Sequence, residues 1–175
     1  MENCGNKIAA VVFTSNTGFT KRYAEIIGKE KDLPVYPYDE AVSKIPAGSA
    51  IVYLGWLRAG SIVGYKRASK RFNIKAVCGV GMAENGSQIE SVKKINRLPE
   101  GLPLFILQGG FDMDKLKGLN KFAMKVMAGT VGKSLAKKEN RSPEEEDMLA
   151  LLQNGGDRVS IQNLTEFSAW MDKGV

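Results

Sequence analysis

The sequence contains no histidine and only two cysteines, Cys4 and Cys78. Without histidine, the chain cannot build a catalytic triad with a histidine base, a His-ligated metal site or a histidine proton shuttle. Two cysteines so far apart in sequence match neither a zinc site nor a CxxC redox pair, so we expect no metal. They also do not form the framework of a secreted disulfide scaffold, which predicts a reducing compartment, the cytoplasm.

Long apolar runs are also missing, since no stretch approaches the roughly 20 residues that span a bilayer. The amino-terminal residues lead directly into a short strand-like run, so we expect no signal peptide. The chain has 175 residues, of which 43% are hydrophobic and 25% charged, with a formal net charge of +6. This composition predicts a single globular domain over residues 1–175. We expect its reactivity to come from backbone, hydroxyls, charges or a bound cofactor.

Short apolar segments of strand length alternate with helical patterns along the whole chain. The strand-like segments are 7–13, 35–38, 50–54, 74–80 and 104–108, and the helical ones are 19–27, 61–72, 87–98, 115–135, 143–152 and 164–170. Pro34 and Pro37 interrupt the second strand, which places it near an edge. The alternation predicts an α/β fold with a doubly wound, five-stranded parallel sheet. Ligands of such sheets bind at the carboxyl ends of the strands.

A hydroxyl-rich turn follows the first predicted strand and opens the first helix. Hydroxyl and amide donors at a helix N-terminus favour a phosphate dianion, because the helix dipole is positive there. The turn contains no lysine, which suits a monophosphate better than a triphosphate with its magnesium. The alternative is a turn that merely caps the helix. The candidate phosphate-binding residues are Ser15, Asn16, Thr17, Gly18, Phe19 and Thr20.

The residues around this turn resemble the flavodoxin signature, and every specified position of that signature is met. These positions are Val11, Val12, Phe13, Ser15, Gly18, Thr20, Ala24 and Ile27. The resemblance implies a flavodoxin-like fold with strand order 2-1-3-4-5 and FMN as the cofactor. It also implies that the isoalloxazine ring lies between the second loop, residues 55–60, and the third loop, residues 79–83. Trp56 is the candidate aromatic neighbour of the ring, and the alternative is that Trp56 is a core residue. The candidate ring-binding residues are Trp56, Leu57, Arg58, Ala59, Gly60, Gly79, Gly81 and Met82.

A narrower resemblance is to a flavodoxin-fold family whose best-known activity is quinone-dependent protoporphyrinogen dehydrogenation. It lies in residues 57–60, 109–110 and 121–127, whereas the third loop lacks that family's basic and aromatic insertion. This resemblance implies an FMN-dependent oxidoreductase that acts on a small molecule or a quinone. The alternatives are an electron carrier that docks an acidic redox partner protein, and a module that binds no flavin. No nucleic acid is expected as a partner, and no catalytic side chain is identified.

Positive charge surrounds the second loop. No acidic residue occurs between Glu40 and Glu84, whereas seven basic ones do: Lys44, Arg58, Lys66, Arg67, Lys70, Arg71 and Lys75. Carrier flavodoxins resemble one another in having acidic surroundings at the flavin, so the resemblance implies a less reducing flavin here. One cation about 5 Å from the ring contributes roughly 3 kcal/mol, on the order of 100 mV per electron, before solvent screening. Arg58 is the main candidate, while the lysines of 66–75 also fit a solvated helix face.

A second basic segment spans residues 115–138, which contain seven lysines and no acidic residue. Leu119, Phe122, Ala123, Val126 and Met127 share one face of the predicted helix. We expect this segment to be an outer helix packed on the sheet. The alternatives are peripheral contact with an acidic membrane and contact with an acidic partner.

Overall fold

A computed structural model of the chain describes residues 7–116 and 118–174, so Cys4 and Lys117 lie outside the described residues. The strands are β1 (Ala10–Thr14), β2 (Val35–Pro37), β3 (Ala50–Arg58), β4 (Ser61–Ile62), β5 (Asn73–Gly81), β6 (Leu104–Gln108), β7 (Gly110–Phe111) and β8 (Gly156–Asp157). The helices are α1 (Phe19–Lys31), α2 (Tyr38–Lys44), α3 (Tyr65–Arg71), α4 (Ile89–Asn96), α5 (Gly118–Ala136), α6 (Pro143–Asn154) and α7 (Thr165–Asp172), with a 3₁₀ turn at Ile161–Leu164 before α7.

The central sheet contains five parallel strands in the spatial order β2-β1-β3-β5-β6. Counted along the chain, these five strands have the order 2-1-3-4-5, which confirms the predicted α/β fold and strand order. β2 lies at one edge, as its prolines predict, with Pro37 beside Phe13 in the register. β4 pairs antiparallel with β3, and β7 pairs with β8 in a separate two-stranded sheet.

Helices cover both faces of the sheet, which is the doubly wound arrangement. On one face, Tyr23 of α1 and Phe167 of α7 are buried in a single apolar layer. On the other face, Ala41 of α2, Ala68 of α3 and Val92 of α4 belong to a second layer. The loops that follow the five parallel strands therefore meet at one edge of a sheet that is packed on both sides.

The first helix is longer than predicted, because Gly28 does not end it. α1 continues to Lys31 and closes at Asp32, which has a left-handed φ of 50°. A Cβ added at Gly28 would lie 2.1 Å from Val35 Cγ2 and 2.9 Å from the Leu33 carbonyl oxygen. Glycine at this position therefore allows α1 to approach β2 closely.

The predicted loop 55–60 is wrong, since β3 continues to Arg58 and forms a hairpin with β4. Arg58 pairs with Ser61 across a two-residue turn of Ala59 and Gly60, whose φ values are 49° and 78°. Positive φ at both turn residues is typical of a type I′ hairpin. As a result, the helix predicted from residue 61 begins only at Tyr65. α2 was not expected from the sequence pattern.

A buried hydroxyl joins distant parts of the chain. Tyr23 Oη donates to the Gln108 carbonyl oxygen at 2.5 Å and accepts from the Asn163 side-chain amide at 2.6 Å. The Ser160 backbone N–H also lies 3.4 Å from this oxygen. Burial raises the pKa of Tyr23. The Tyr23 hydroxyl thus joins α1, the end of β6 and the segment before α7.

α5 does not pack on the sheet, so the expectation of an outer sheet-covering helix is wrong. None of its described side chains belongs to either apolar layer of the sheet. It packs instead against α6, where Met124 contacts a small apolar cluster that includes Phe111 and Leu151. Among the residues described, no helix is both long and apolar enough to cross a membrane.

Candidate functional site

The turn between β1 and α1 leaves the amino end of the helix without a side-chain cap. The capping position is Gly18, with a left-handed φ of 98°, and its N–H donates to Ser15 Oγ at 3.2 Å. The first turn of α1 contains no acidic residue. The first N–H groups of a helix have no partner within it, and the dipole is positive at this end. This end of α1 can therefore receive an anion.

The donors around this turn fit a phosphate group. Ser15 and Thr17 are partly exposed, whereas Thr20 is buried within the first turn of α1. A Cβ added at Gly18 would meet no heavy atom within 4 Å, so the space beside the turn is open. Hydroxyls and backbone N–H groups that converge at a helix N-terminus are the donor set that binds a dianionic phosphate.

A smaller pocket of about 480 Å³ adjoins the same turn. Ser15, Asn16 and Gly18 line it, together with Lys21 of the first helical turn. Lys21 Nζ lies 3.6 Å from Glu25 Oε1, and both side chains are exposed. Glu25 and Glu40 also line the pocket, so Lys21 gives it no net positive charge.

The residues predicted to hold a ring are divided between the two faces of the sheet. Trp56 and Leu57 are neighbours in β3, so their side chains point to opposite faces. Cβ atoms added at Gly79 and Gly81 would each lie 3.1 Å from a Leu57 methyl carbon. Leu57 therefore covers these two glycines. The Arg58 guanidinium lies 5.9 Å from the centre of the Trp56 ring on the other face.

The remaining ring-site candidates lie around this hairpin and beyond it. Ala59 and Gly60 form the hairpin turn, and the Gly60 carbonyl accepts from the Asn96 side-chain amide at 2.9 Å. Met82 packs against the apolar cluster near α5 and α6, and its carbonyl accepts from Gln108 Nε2 at 3.3 Å. These contacts give Met82 a packing role in addition to any contact with a ligand.

An open cleft of about 1100 Å³ begins at Thr14 and Ser15 and continues along β4 and α3. Its wall is fixed by Tyr53, whose hydroxyl donates to the Val63 carbonyl oxygen at 2.9 Å. Since that proton is used, Thr14 Oγ1 donates to Tyr53 Oη, at 2.8 Å. Burial raises the pKa of Tyr53 to about 12. A Cβ at Gly64 would lie 2.1 Å from the Tyr53 oxygen, so glycine makes this packing possible.

Four cationic side chains and one carboxylate line this cleft: Arg58, Lys66, Arg67, Arg97 and Asp39. Arg67 donates to Asp39 at 2.6 Å and stacks over the Tyr38 ring at 4.2 Å. Within the described residues, the other three cations have no carboxylate oxygen within 4.0 Å. The cleft therefore carries uncompensated positive charge and favours an anionic occupant.

This cleft could be predicted from the sequence only in part. Of the predicted site residues, Ser15 and Arg58 line it. The absence of acidic residues between 40 and 84 pointed toward Arg58 and Arg67, but Arg97 lies outside that window and Tyr38 was not considered. The described cysteine, Cys78, is fully buried, and burial raises the pKa of its thiol, so it is not a reactive group.

Two features of this edge carry chemical information: the uncapped amino end of α1 and the basic cleft beside it. Function is inferred from these features and from the fold. Comparison of the chain with models of protein families, with curated proteins and with solved structures finds no match.

Proposed function

We propose that the chain is an FMN-binding, flavodoxin-like redox protein that acts as an oxidoreductase. The observation that carries this proposal is the amino end of α1. A buried strand leads into a hydroxyl-rich turn, and the turn leads into a helix without a cap, at the carboxyl edge of a parallel sheet. Mononucleotides bind at this edge of doubly wound sheets, with phosphate at the helix N-terminus. FMN supplies redox chemistry when it is bound.

The turn residues would hold the phosphate through hydroxyl and backbone donors, namely Ser15, Asn16, Thr17, Gly18, Phe19 and Thr20. Arg58 lines the same cleft as Ser15 and contributes positive charge there. Leu57 excludes water from the glycines of β5, because its methyl groups lie directly over them. The positive cleft suits a small acidic substrate or a quinone, whose reduction adds negative charge.

A second candidate function is that of an electron carrier. It is favoured by the three cations of the cleft that have no carboxylate partner in the described part of the chain, Arg58, Lys66 and Arg97. Such a surface steers an acidic redox protein toward the cleft. Partner reduction that falls steeply with added salt, without turnover of small molecules, would support the carrier over the enzyme.

The proposal is tested by titrating the purified protein with FMN and with riboflavin, following flavin fluorescence. We expect FMN to bind, and riboflavin to bind at least about tenfold more weakly, since loss of the phosphate removes about 1.4 kcal/mol or more. A protein that binds neither flavin contradicts both redox functions. Equal affinity for the two flavins contradicts the assignment of the turn as a phosphate site.

Two glycines provide a matched pair of variants for this titration. Gly18 and Gly48 both have positive φ, 98° and 80°, and a Cβ at either would meet nothing within 4 Å. Alanine at each position therefore costs about 1–2 kcal/mol of backbone strain without a clash. We expect Gly18→Ala to weaken FMN binding about tenfold and Gly48→Ala to leave it unchanged. Equal FMN affinities for the two variants would argue against the turn.

A further inference from the structure

α5 exposes a row of large apolar side chains. Leu119 is 86% exposed, Phe122 69% and Val126 54%, and Met127 and Val131 are also exposed. Outside α5, the large hydrophobic side chains exposed among the described residues are scattered over separate elements. Single exposed apolar residues are ordinary on a protein surface, whereas a contiguous row on one helix indicates a surface that contacts something apolar.

The row faces away from the rest of the fold. Leu119, Phe122 and Val126 follow the three-and-four spacing that places side chains on one side of a helix. The side toward α6 is occupied by Met124, and Leu135 lies about three turns further along that side. The contact of Met124 with the cluster that includes Leu151 of α6 therefore lies on a different side of α5 from the apolar row.

The same segment is strongly basic. From residue 121 to residue 138, five lysines are described and exposed: Lys121, Lys125, Lys133, Lys137 and Lys138. No acidic residue occurs from residue 115 to residue 138. Lys138 is neutralised by Glu145 at 2.6 Å. For Lys121, Lys125, Lys133 and Lys137, no carboxylate of the described chain lies within 4.0 Å.

We propose that α5 lies on the surface of an anionic lipid bilayer, with Leu119, Phe122 and Val126 inserted at the boundary between headgroups and acyl chains. α5 exposes Leu119, Phe122 and Val126, and residues 115–138 contain lysines and no acidic residue. Exposed apolar side chains interspersed with lysines are the combination that an anionic lipid surface attracts. A second copy of the chain fits the face less well, because two such helices would bring lysines of the same sign together. This inference does not depend on FMN binding.

The test is co-sedimentation of the full-length chain with vesicles of equal parts phosphatidylcholine and phosphatidylglycerol, beside vesicles of phosphatidylcholine alone. We expect binding to the anionic vesicles, weakened about fivefold by each of Lys125→Gln and Lys133→Gln. Phe122→Asn should weaken binding more than about tenfold, because the ring no longer enters the bilayer. Ile161→Asn is the matched apolar control, since Ile161 is 49% exposed and lies outside α5.

Each outcome decides the proposal. Binding that is lost in Phe122→Asn, kept in Ile161→Asn and reduced by salt supports it. It is overturned if the chain ignores anionic vesicles, or if it binds them equally well with Phe122→Asn. A dimer in sedimentation velocity that dissociates in Phe122→Asn would show that a second copy covers the face and would also overturn it. Should Phe122→Asn lose its circular dichroism signal, Leu119→Asn tests the same face at a more exposed position.

Discussion

Replacing Tyr53 with phenylalanine should change how the stability of the protein depends on pH. The Tyr53 hydroxyl donates to Val63 and accepts from Thr14, and its burial raises its pKa from 10.0 to about 12. In the unfolded chain the same phenol ionises near pH 10. Below pH 10 both states hold the proton, and the contribution of Tyr53 to stability is fully present. Between about pH 10 and pH 12 the unfolded state loses its proton first, and stability falls.

Burial raises the pKa of Tyr53 from 10.0 to about 12, which corresponds to about 3 kcal/mol of unfolding free energy once the folded group has also ionised. At pH 11.5 the expected loss is about 2 kcal/mol. Tyr53→Phe removes this loss. At neutral pH the substitution instead destabilises the fold by about 1–2 kcal/mol, because the Val63 carbonyl and the Thr14 hydroxyl lose a partner.

The assay is urea unfolding of both proteins at pH 8 and at pH 11.5, followed by far-UV circular dichroism. Other groups that titrate in this range, including Tyr23 and Tyr65, are common to both proteins. We expect the free energies of unfolding to differ by about 1–2 kcal/mol at pH 8 and to converge or cross at pH 11.5. A difference that is the same at both pH values would refute the role given to the Tyr53 hydroxyl.

Two further substitutions test packing and charge. Gly28→Ala should lower the free energy of unfolding by about 3 kcal/mol in urea denaturation, because its methyl would overlap Val35 and the Leu33 carbonyl. The control is Gly129→Ala, in open space on α5, which should leave the free energy of unfolding unchanged or raise it by about 1 kcal/mol. Equal effects of the two substitutions would contradict the packing argument. If the chain binds FMN, Arg58→Ala should lower the flavin reduction potential by tens of mV in a redox titration, since the exposed guanidinium is screened by solvent. The exposed Lys29→Ala serves as its control, and an unchanged potential in Arg58→Ala would exclude Arg58 as a determinant.

The fold was predictable where local pattern and tertiary environment agree. The apolar run before Thr14 predicts a strand buried on both faces, and β1 is buried as expected. Pro34 and Pro37 predict an edge strand, because proline cannot donate to a sheet ladder, and β2 lies at the edge. The alternation of elements was then sufficient for the class, and the resemblance to flavodoxins supplied the strand order.

The predictions that were wrong failed because contacts between distant parts of the chain decide those features. Gly28 was interpreted as the end of a helix, whereas it allows α1 to approach Val35, a contact that no local pattern contains. The turn of Ala59 and Gly60 was missed because alanine at positive φ gives no turn signal of its own. For α5, periodicity identified Phe122 and its neighbours as an apolar face but could not reveal that the face stays exposed.

The candidate site, like the fold, could be predicted from the sequence only in part. The anion-accepting end of α1 could be predicted, since the hydroxyls of Ser15 and Thr17 are contiguous in sequence with the helix that they open. The basic cleft could not, because Arg97 approaches it from a different part of the chain, and the fold alone brings it near Arg58. The order of the predicted ring-binding residues likewise did not reveal that Leu57 covers Gly79 and Gly81.

The hydrogen bonds of Tyr23 have a consequence for the order of folding during synthesis. The amide that completes them belongs to Asn163, 140 residues further along the chain. Before Asn163 has been synthesised, α1 can cover the sheet only if the buried Tyr23 hydroxyl lacks its Asn163 partner. Contacts between residues so distant in sequence form late, because a long loop must be closed first. The strand and turn proposed to bind the cofactor are thus made early, but the hydrogen bonds of Tyr23 are completed only after Asn163 has been synthesised.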